Sequence, residues 1–337
     1  MDADAAYLVL LARDARFDGR WFVGVTSTGV YCRPVCRVRT PQRKNCLFFD
    51  TAAQAEAAAF RPCLKCRPEL APGNALPWSV MDASSTLARQ AAHWLDTQTA
   101  ADASPSVAAL AERLGISDRH LRRIFLAEHG VTPLQHLQTR RLLLAKHLLT
   151  DTRLPMSEVA MASGFGSLRR FNAAFTESYR MSPSRLRQGG RSRAGAPPAD
   201  DAVTVTLNYR PPYDMASLLR FIEMRAIPSV ESVQALRVRR TLRADALGSG
   251  TPAAWIEAEF MPDAPQVRLR FAPQLAPHSA AVVRSARRWL DLDAAPHVID
   301  TALADLPGAP GLRLPGSLDA FELAVRAVLG QQVTVAA

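Results

Sequence analysis

Four cysteines near the amino terminus fall into two closely spaced pairs, Cys32 with Cys36 and Cys63 with Cys66. Tetrahedral zinc takes four thiolate ligands, and each short-spaced pair can occupy one edge of the tetrahedron while the intervening chain packs around it. The spacing therefore predicts that these four side chains together hold one Zn²⁺ ion.

Two other interpretations of the cysteine pattern stay open. The pairs could form two disulfides in a secreted domain, although the residues before Cys32 lack the pattern of a signal peptide and the chain is far longer than a disulfide scaffold. The site could also be a structural zinc ribbon without reactivity. A fifth cysteine, Cys46, lies between the pairs. We expect it to be a small buried apolar residue, because the tetrahedron is already full.

Basic residues flank both pairs. Four thiolates on one divalent cation leave a formal charge of 4 − 2 = 2 negative, so some compensation by arginine is expected even at a structural site. The basic side chains exceed that need, which indicates a rim able to seat a phosphate backbone. An electron-rich zinc thiolate beside such a rim is a nucleophile that requires no general base. These basic residues are Arg33, Arg37, Arg39, Arg61, Lys65 and Arg67.

Two longer motifs contain the cysteines, Thr-Ser-Thr-Gly-Val-Tyr-Cys-Arg-Pro-x-Cys at residues 26–36 and Phe-Arg-Pro-Cys-x-Lys-Cys at residues 60–66. They resemble the N-terminal metal-binding domain of Ada-type alkylation-response proteins, and we assign residues 1–72 to such a domain. The resemblance implies that Cys32 accepts the methyl group of a DNA methylphosphotriester while it and the other three cysteines hold the zinc. The residues that fall where this family contacts the DNA backbone are Thr28, Arg39, Arg61 and Lys65.

The implied reaction is irreversible. A bound thiolate attacks the methyl carbon, and the neutral triester leaves as a phosphodiester, so no later reductant can restore the sulfur. Each chain is then expected to act once. Methylation turns the Cys32 thiolate into a neutral thioether and cuts the formal charge of the site from two negative to one. This change weakens the repulsion between the site and phosphates, so it would act as an electrostatic switch of DNA affinity.

The chain that carries this site has the composition of a nucleic-acid-binding protein with several domains. It has 337 residues and a net charge of +10 at pH 7. Residues 106–187 carry 13 Lys and Arg against 6 Asp and Glu, whereas residues 203–337 carry 14 against 13. No apolar run reaches the length that spans a membrane. We therefore expect double-stranded DNA as the partner, no membrane contact, and a bacterial cytoplasmic location at the nucleoid.

A helix, a glycine turn and a capped second helix are predicted within residues 106–125. Gly115 makes the turn and Ser117 caps the second helix. The same pattern recurs at residues 157–175, and a long helix over about residues 133–149 joins the two copies. The sequence thus predicts a duplicated helix-turn-helix.

This duplicated unit resembles the AraC-type DNA-binding domain, to which we assign residues 83–188. Gly164-Phe165 and Met181-Ser182-Pro183 are typical marks of its second half. One departure is Arg180, which stands where Gly130 stands in the first copy. A left-handed helix end is costlier for arginine than for glycine, so the sequence does not fix the exact end of the second helix.

The exposed faces of the two second helices are predicted to contact DNA. A single basic helix is more often a solvated face, but two in register can enter successive major grooves. Sequence does not separate base contacts from phosphate contacts. His120 is equally consistent with an ordinary exposed histidine. The candidate DNA-binding residues are Arg119, His120, Arg122, Arg123, Ser167, Arg169 and Arg170.

Segments rich in Gly and Pro at residues 71–74 and 189–198 are predicted linkers. Past the second one the chain shows the alternation of strands and the spacing of amphipathic helices, which indicates an α+β domain. The predicted strands are residues 203–207, 255–260 and 267–271, and the predicted helices are residues 215–226 and 280–290.

Motifs at residues 207–214 and 311–322 resemble AlkA-type 3-methyladenine DNA glycosylases. We assign residues 203–315 to their N-terminal domain and residues 316–337 to a truncated start of their helix-hairpin-helix catalytic domain. The family's hairpin and catalytic aspartate lie further downstream, so we expect no base excision by this chain. Phe221 matches a position of the family's base pocket, although a phenylalanine on an amphipathic helix is more often part of the core.

The predicted fold class is multidomain α+β. It consists of a small zinc-bound α/β domain, an all-α double helix-turn-helix domain, an α+β domain like the N-terminal domain of AlkA, and the truncated start of an all-α helix-hairpin-helix glycosylase domain. The leading functional hypothesis is an alkylation-damage sensor that repairs DNA phosphotriesters stoichiometrically and activates transcription, with RNA polymerase as a further expected partner. Two alternatives stay open: a transcription factor with a purely structural zinc site, and a glycosylase with accessory DNA-binding domains.

Overall fold

A computed structural model describes residues 2–73, 83–97, 106–191, 202–248 and 250–331. The chain divides into two units, one made of residues 1–150 and 154–194 and the other of residues 151–153 and 195–337. The predicted linker at residues 189–198 and the last six residues of the predicted truncated segment lie largely or wholly outside the described residues. No helix in the described ranges is both long and apolar enough to cross a lipid bilayer.

The first unit begins with a small sheet that carries the cysteines. Its strands lie in the order β3-β1-β2-β4, and only the β2·β4 pairing is parallel. Its core combines apolar side chains such as Leu10, Trp21 and Val23 with the cysteines themselves. The elements are α1 (Ala3–Ala12), β1 (Phe22–Val25), β2 (Val30–Cys32), β3 (Cys46–Phe49), α2 (Ala52–Ala57) and β4 (Arg61–Pro62).

Within residues 83–97 and 106–191, seven helices follow and form the predicted duplicated helix-turn-helix. Ser117 and Ser167 cap the second helix of each copy, since each hydroxyl accepts a backbone N–H three residues further on. Phe125 and Phe175 occupy equivalent positions and are both completely buried. The helices are α3 (Ala83–Thr97), α4 (Val107–Arg113), α5 (Asp118–His129), α6 (Pro133–Asp151), α7 (Met156–Ala162), α8 (Leu168–Tyr179) and α9 (Pro183–Arg191).

The two copies end their second helices in the same backbone conformation. Gly130 follows α5 with φ 68° and Arg180 follows α8 with φ 53°, so both residues are left-handed. Each backbone N–H bonds to a carbonyl four residues earlier, at Leu126 and Thr176. The second helix therefore ends at the position that the first copy predicts, and Arg180 adopts the less favourable conformation there.

The second unit is built on a five-stranded antiparallel sheet in the order β5-β9-β8-β7-β6. One face packs against helices in an apolar core, which includes Phe260, Phe271 and Trp289. The elements are β5 (Val203–Asn208), α10 (Met215–Glu223), β6 (Glu231–Gln234), β7 (Arg237–Leu242), β8 (Ala254–Phe260), β9 (Gln266–Phe271), α11 (Ser279–Trp289), α12 (Pro296–Ala302) and α13 (Ala320–Leu329).

The sequence did not indicate strands β6 and β7. In β7 the buried positions alternate with exposed ones, but Arg240 occupies one of the buried positions and hides the apolar pattern. Its guanidinium is satisfied by Glu231 at 2.8 Å and by Glu322 at 2.6 Å. Sequence patterns place a charged residue on the exposed side of a strand, because charged residues are rarely buried unless they are paired. The sequence alone does not show that Arg240 has such partners.

Helix α13 lies in the segment assigned to the truncated catalytic domain. Asp319 caps it by accepting the backbone N–H groups of Phe321 and Glu322. None of its residues is buried, and Phe321 and Val328 are about two-thirds exposed.

Candidate metal centre and DNA-binding surface

The sheet brings the two cysteine pairs together. Strand β2 ends at Cys32, and Cys63 follows β4, the strand that runs parallel to β2. The backbone N–H of Cys63 donates to the carbonyl of Tyr31 at 2.9 Å, which fixes the two strand ends side by side. Tight turns then place Cys36 and Cys66 next to them.

The four sulfur atoms all lie within 4.8 Å of one another. In a tetrahedral zinc-thiolate site with Zn–S bonds of about 2.3 Å, sulfurs are about 3.8 Å apart, so small adjustments accommodate the ion. A thiolate donor set of this kind selects zinc over hard cations such as Mg²⁺ or Ca²⁺. The predicted ligands Cys32, Cys36, Cys63 and Cys66 are therefore positioned to bind one zinc ion.

The sulfurs also show why the site calls for a cation. Four thiolates within 4.8 Å of one another repel each other strongly, so they cannot all ionise without a compensating charge. A divalent cation offsets this repulsion by making every sulfur a ligand.

All five cysteines are free, and Cys46 is 4% exposed. Its thiol donates to the carbonyl of Gln42 at 3.4 Å and does not belong to the sulfur cluster. The prediction that Cys46 is a small buried apolar residue is confirmed.

Backbone groups and one buried arginine support the ligands. The N–H of Arg33 donates to the sulfur of Cys66 at 3.4 Å, and that of Lys65 donates to the sulfur of Cys63 at 3.3 Å. The Arg33 side chain is 4% exposed, pairs with Asp18 and donates to the carbonyl of Cys66 at 3.0 Å. Arg33 therefore holds the turn together and does not face solvent.

A cavity of about 490 Å³ opens beside the cluster. Cys32, Cys36 and Cys63 line it, and apolar side chains form much of its wall. The four residues that the sequence predicts as DNA-backbone contacts also line it: Thr28, Arg39, Arg61 and Lys65. The cavity thus brings three of the clustered sulfurs, an apolar wall and a cationic rim into one place.

The predicted recognition helices present basic side chains to solvent. Arg119, Arg122 and Arg123 on α5 are exposed, as are Arg169 and Arg170 on α8. Two of the cations on α5 are partly engaged within the helix. Arg122 pairs with Asp118 at 2.9 Å, and a guanidinium N–H of Arg123 lies 3.1 Å from the ring nitrogen Nδ1 of His120.

His120 and Ser167 are half-buried. The Ser167 hydroxyl accepts the backbone N–H of Arg170 as the cap of α8, which gives it a structural role in this state.

Phe221 is 39% exposed, so the interpretation of Phe221 as a core residue is wrong. It lies on the outer side of α10, where the guanidinium of Arg225 stacks 3.8 Å from the ring centroid. The buried face of α10 is formed by Leu218, Leu219 and Ile222. Whether Phe221 belongs to a base pocket stays a prediction.

Sequence reasoning missed a set of polar residues beneath the metal centre. Thr139 and Lys146 are buried, the side chain of Glu69 is 1% exposed, and Glu56 bonds to Thr139. Lys146 is 1% exposed and donates to the carbonyl of Cys63 at 3.3 Å. The one sequence signal is the spacing of Thr139 and Lys146, which puts them on the same side of α6 two turns apart.

The fold and the site define the class of protein: a four-cysteine zinc centre combined with a duplicated AraC-type helix-turn-helix. Three family models match the chain. They are the metal binding domain of Ada at residues 5–69, a helix-turn-helix domain at residues 110–189 and the AlkA N-terminal domain at residues 204–319.

Relatives match the same regions. The probable bifunctional transcriptional activator/DNA repair enzyme AlkA of Mycobacterium tuberculosis is 36% identical over 347 aligned residues, which cover all of this chain and 67% of that protein. The bifunctional transcriptional activator/DNA repair enzyme Ada of Escherichia coli is 30% identical over 57% of this chain and 51% of its own length. DNA-3-methyladenine glycosylase 2 of Escherichia coli is 40% identical over 39% of this chain and 45% of its own length.

This chain belongs to the family of bifunctional transcriptional activator/DNA repair proteins that join Ada-type and AlkA-type regions. The resemblances to both families that the sequence motifs predicted are confirmed. The chain corresponds to two-thirds of the length of the Mycobacterium relative and to about half of the Ada protein.

Proposed function

We propose that this chain takes the methyl group of a DNA methylphosphotriester onto Cys32 and that the transfer switches its binding to DNA as a transcriptional activator. The observation that carries the proposal is the position of Cys32. The residue is one of the four clustered ligands and also lines the cavity with the cationic rim. A sulfur held in this way combines thiolate character with access to a phosphate ester.

The transfer is a single displacement. A bond forms between the Cys32 sulfur and the methyl carbon while the bond between that carbon and the phosphate oxygen breaks, and its electron pair stays on the oxygen. The products are a neutral thioether and an anionic phosphodiester, so no proton or reductant is involved. When bound, zinc would keep the Cys32 sulfur deprotonated at neutral pH. Because a thioether is stable, each chain acts once.

The cavity residues have positioning roles in this proposal. Arg39, Arg61 and Lys65 attract the phosphates on either side of the neutral triester, and Thr28 offers a hydroxyl to a phosphate oxygen. The apolar wall suits a methyl group better than a charged diester oxygen. Together these contacts place the methyl carbon in line with the sulfur.

Methylation then changes the electrostatics of the metal centre. The formal charge of the site falls from two negative to one, which reduces repulsion of the DNA backbone. The basic faces of α5 and α8 supply sequence-specific binding through Arg119, Arg122, Arg123, Arg169 and Arg170, with His120 and Ser167 as further contacts. The partner is double-stranded DNA at the bacterial nucleoid, and an activator of this kind also contacts RNA polymerase.

We assign four domains in this proposal: residues 1–72, 83–188, 203–315 and 316–337. The last two correspond to the AlkA-like region. Phe221 would face a base pocket there, but we propose that these 337 residues do not excise bases. Release of free 3-methyladenine from methylated DNA by this chain would contradict that part of the proposal.

The transfer is tested with a synthetic duplex that carries one methylphosphotriester. Peptide mass spectrometry of the zinc-loaded protein should show one added methyl group on the Cys32 peptide and none after incubation with the unmodified duplex. Cys46→Ser is the matched control and should still accept one methyl group, because Cys46 lies outside the cluster. A wild-type protein that remains unmodified, or that carries the methyl group on Cys46, rules out Cys32 as the acceptor.

A Cys32→Ser variant distinguishes the proposed acceptor role of Cys32 from the alternative of a purely structural zinc site. Under the proposal, Cys32→Ser loses both the methyl transfer and the response of DNA affinity to methylated duplex. A folded Cys32→Ser protein whose DNA affinity still responds to the methylated duplex would favour a purely structural zinc site.

A further inference from the structure

Two polar residues on one side of helix α6 are buried. Thr139 is 5% exposed and Lys146 is 1% exposed. Seven residues separate them, which is close to two helical turns, so they lie on one side of the helix. Both side chains bond to the metal-binding region within the first unit. We call this contact between α6 and the metal-binding region the junction.

Lys146 holds the segment that carries the second cysteine pair. Its ammonium group donates to the carbonyl of Cys63 at 3.3 Å and forms an ion pair with Glu69. The side chains of Lys146 and Glu69 are each 1% exposed. Glu69 also accepts from Arg67 at 3.0 Å. The chain on both sides of Cys66 is therefore fastened to α6.

Thr139 reaches the first cysteine pair through two hydrogen bonds. Its hydroxyl donates to one carboxylate oxygen of Glu56 at 3.0 Å, and the other oxygen accepts the phenol of Tyr31 at 3.0 Å. Tyr31 is completely buried and directly precedes Cys32 in β2. Each half of the sulfur cluster is thus connected to the same helix.

The metal-binding region also contacts both helix-turn-helix copies. The side-chain amide of Gln54 in α2 donates to the carbonyl of His129 at 3.0 Å, at the end of α5. Helix α8 packs against β4, and Tyr179 at the end of α8 is buried. The charges of the junction residues Glu56 and Glu69 add to burial in raising the pKa of Tyr179 well above the usual value. Both predicted recognition helices therefore contact the region that the junction fastens to α6.

A buried ion pair is a poor means of simple adhesion. Desolvating both charges offsets most of their attraction, and apolar side chains of similar size would hold two surfaces together at least as well. What the ammonium group of Lys146 adds is a response to nearby charge, and that response is strong in a buried, low-dielectric setting. Lys146 does not line the cavity, so it is not placed to contact DNA there.

We propose that Lys146 is a positioning residue that couples the charge of the metal centre to the helix-turn-helix region through the junction. This inference rests on the proposed function, in which Cys32 becomes a neutral thioether. Loss of one negative charge weakens the hold between Lys146 and the Cys63 segment. The junction loosens, and α6, which joins the two helix-turn-helix copies, gains freedom to adjust to DNA.

The proposal is tested by hydrogen–deuterium exchange of the zinc-loaded full chain without DNA. Cys32→Met introduces a neutral thioether without any transfer reaction, and Lys146→Met with Glu69→Gln removes the ion pair while keeping side-chain size. We expect Cys32→Met alone to speed exchange of the α6 amides at residues 142–149 by about fivefold or more, the lower end of usual couplings between sites. In the Lys146→Met/Glu69→Gln background, adding Cys32→Met should change the exchange rate of the same α6 amides by less than about twofold.

The matched control is Arg89→Met with Glu128→Gln, which removes a 2.7 Å ion pair between α3 and α5 that does not touch the metal centre. In that background the response to Cys32→Met should equal the wild-type response. Metal content is measured for every protein, so that loss of zinc is not mistaken for loosening of the junction.

An equal response in the Lys146→Met/Glu69→Gln and wild-type backgrounds, or no response in the wild type, overturns the proposal. If the Lys146→Met/Glu69→Gln protein does not fold, Thr139→Val replaces it, because it removes only the hydrogen bond to Glu56. We then expect Cys32→Met to change the exchange of the α6 amides by less than about half of its effect in the wild type. An undiminished effect in the Thr139→Val background overturns the proposal. Failure of the proposed function is recognised separately, as an unmethylated Cys32 in the mass spectrum.

Discussion

Burial sets the protonation of Glu56 at the junction. Desolvation raises the pKa of its carboxyl group from 4.5 to about 7, although the hydrogen bonds from Thr139 and Tyr31 and the charge of Lys146 act in the opposite direction. The folded protein therefore binds a proton at Glu56 more readily than the unfolded chain does. Between the two pKa values, folding takes up a proton.

This shift predicts a pH dependence of stability. The unfolded chain binds fewer protons at Glu56 than the folded protein between about pH 4.5 and 7, so the contribution of Glu56 to the free energy of unfolding falls as pH rises through that window. Glu56→Gln cannot ionise and keeps an acceptor for Tyr31. We expect it to be more stable than the wild type above pH 7 by about 1 to 3 kcal/mol, with the difference shrinking toward pH 5.

Denaturant unfolding of the zinc-loaded wild type and Glu56→Gln at several pH values measures that difference. Taking the difference cancels the titration of groups that the two proteins share. A constant difference from pH 5 to pH 8 would show that Glu56 does not titrate in this range.

Two arginines near the sulfurs should respond differently to mutation. Arg33 is buried against Asp18 and the Cys66 carbonyl, whereas Arg39 is exposed at the cavity. We expect Arg33→Met to lower the free energy of unfolding by roughly 3 kcal/mol, as loss of a buried ionic partner does. Arg39→Met should leave stability within about 0.5 kcal/mol, because it lies on the surface.

For DNA binding we expect the opposite: Arg39→Met should have the larger effect and Arg33→Met the smaller one. Arg39→Met should weaken binding to random-sequence duplex and lower its salt dependence by about one unit, as expected for one lost phosphate contact. Titrations at several salt concentrations and denaturant unfolding of both variants check these outcomes. If Arg39→Met keeps the wild-type salt dependence, Arg39 is not a phosphate contact.

At the residue scale, the sequence predicted the four clustered cysteines but not the residues that support them. Cysteine spacing is a strong signal because few other arrangements place four thiols at such intervals. A lone Lys146 within an amphipathic helix carries no such signal, since lysine is almost always exposed unless it is paired. Its partners Glu69 and Cys63 are about 80 residues away, and only the tertiary structure brings them to it.

At the scale of elements, the ends of α5 and α8 offer a direct comparison. Both use a left-handed residue, and only glycine adopts that conformation without cost. We expect Arg180→Gly to raise the free energy of unfolding by roughly 0.5 to 1 kcal/mol, because it relieves this strain at an exposed site. The change is measured by denaturant unfolding.

Gly130→Ala is the opposite substitution at the equivalent position. A Cβ there would lie 2.7 Å from the side-chain nitrogen of Gln54 in addition to the strain of φ 68°. We therefore expect a loss of about 1 kcal/mol or more. A stabilising Gly130→Ala or a destabilising Arg180→Gly would contradict this account of the helix ends.

The periodicity of apolar residues predicted most helices and strands well, and it failed where a charged residue is buried. The helix-turn-helix was predictable because Ser117, Gly115 and their counterparts mark its turns directly. Strand β8 was predictable from its apolar alternation, but β7 was not, since Arg240 takes an inward position with Glu231 and Glu322 as partners. On the outer face of the same sheet, arginines on neighbouring strands pair with Glu257 and Glu259.

At the scale of the whole molecule, the two units have separate cores. The apolar core of the second unit draws on residues between 205 and 318, whereas all five cysteines lie between residues 32 and 66. Cys32, Cys36 and Cys63 are themselves part of the core of the metal-binding region. The stability of that region therefore depends on the metal, because four clustered thiolates, three of them buried, are strongly disfavoured without a cation.

Chelation of zinc should consequently destabilise one unit and spare the other. After treatment with a chelator we expect strands β1 to β3 to lose their protected amides in hydrogen exchange, while β5, β8 and β9 keep theirs. Re-addition of zinc should restore the protection. Equal loss of protection in both units would show that the second unit depends on the first for its stability.

The spacing of Thr139 and Lys146 along α6 limits how this protein can be recombined with its relatives. One inserted or deleted residue between them would rotate one side chain by about 100° around the helix and pull it away from its acidic partner. A chimera that takes the cysteine-bearing segment from one parent and the long helix from another would mismatch these partners. The two segments should therefore be exchanged only as a pair, even though a recombination point between them would look like a natural module boundary.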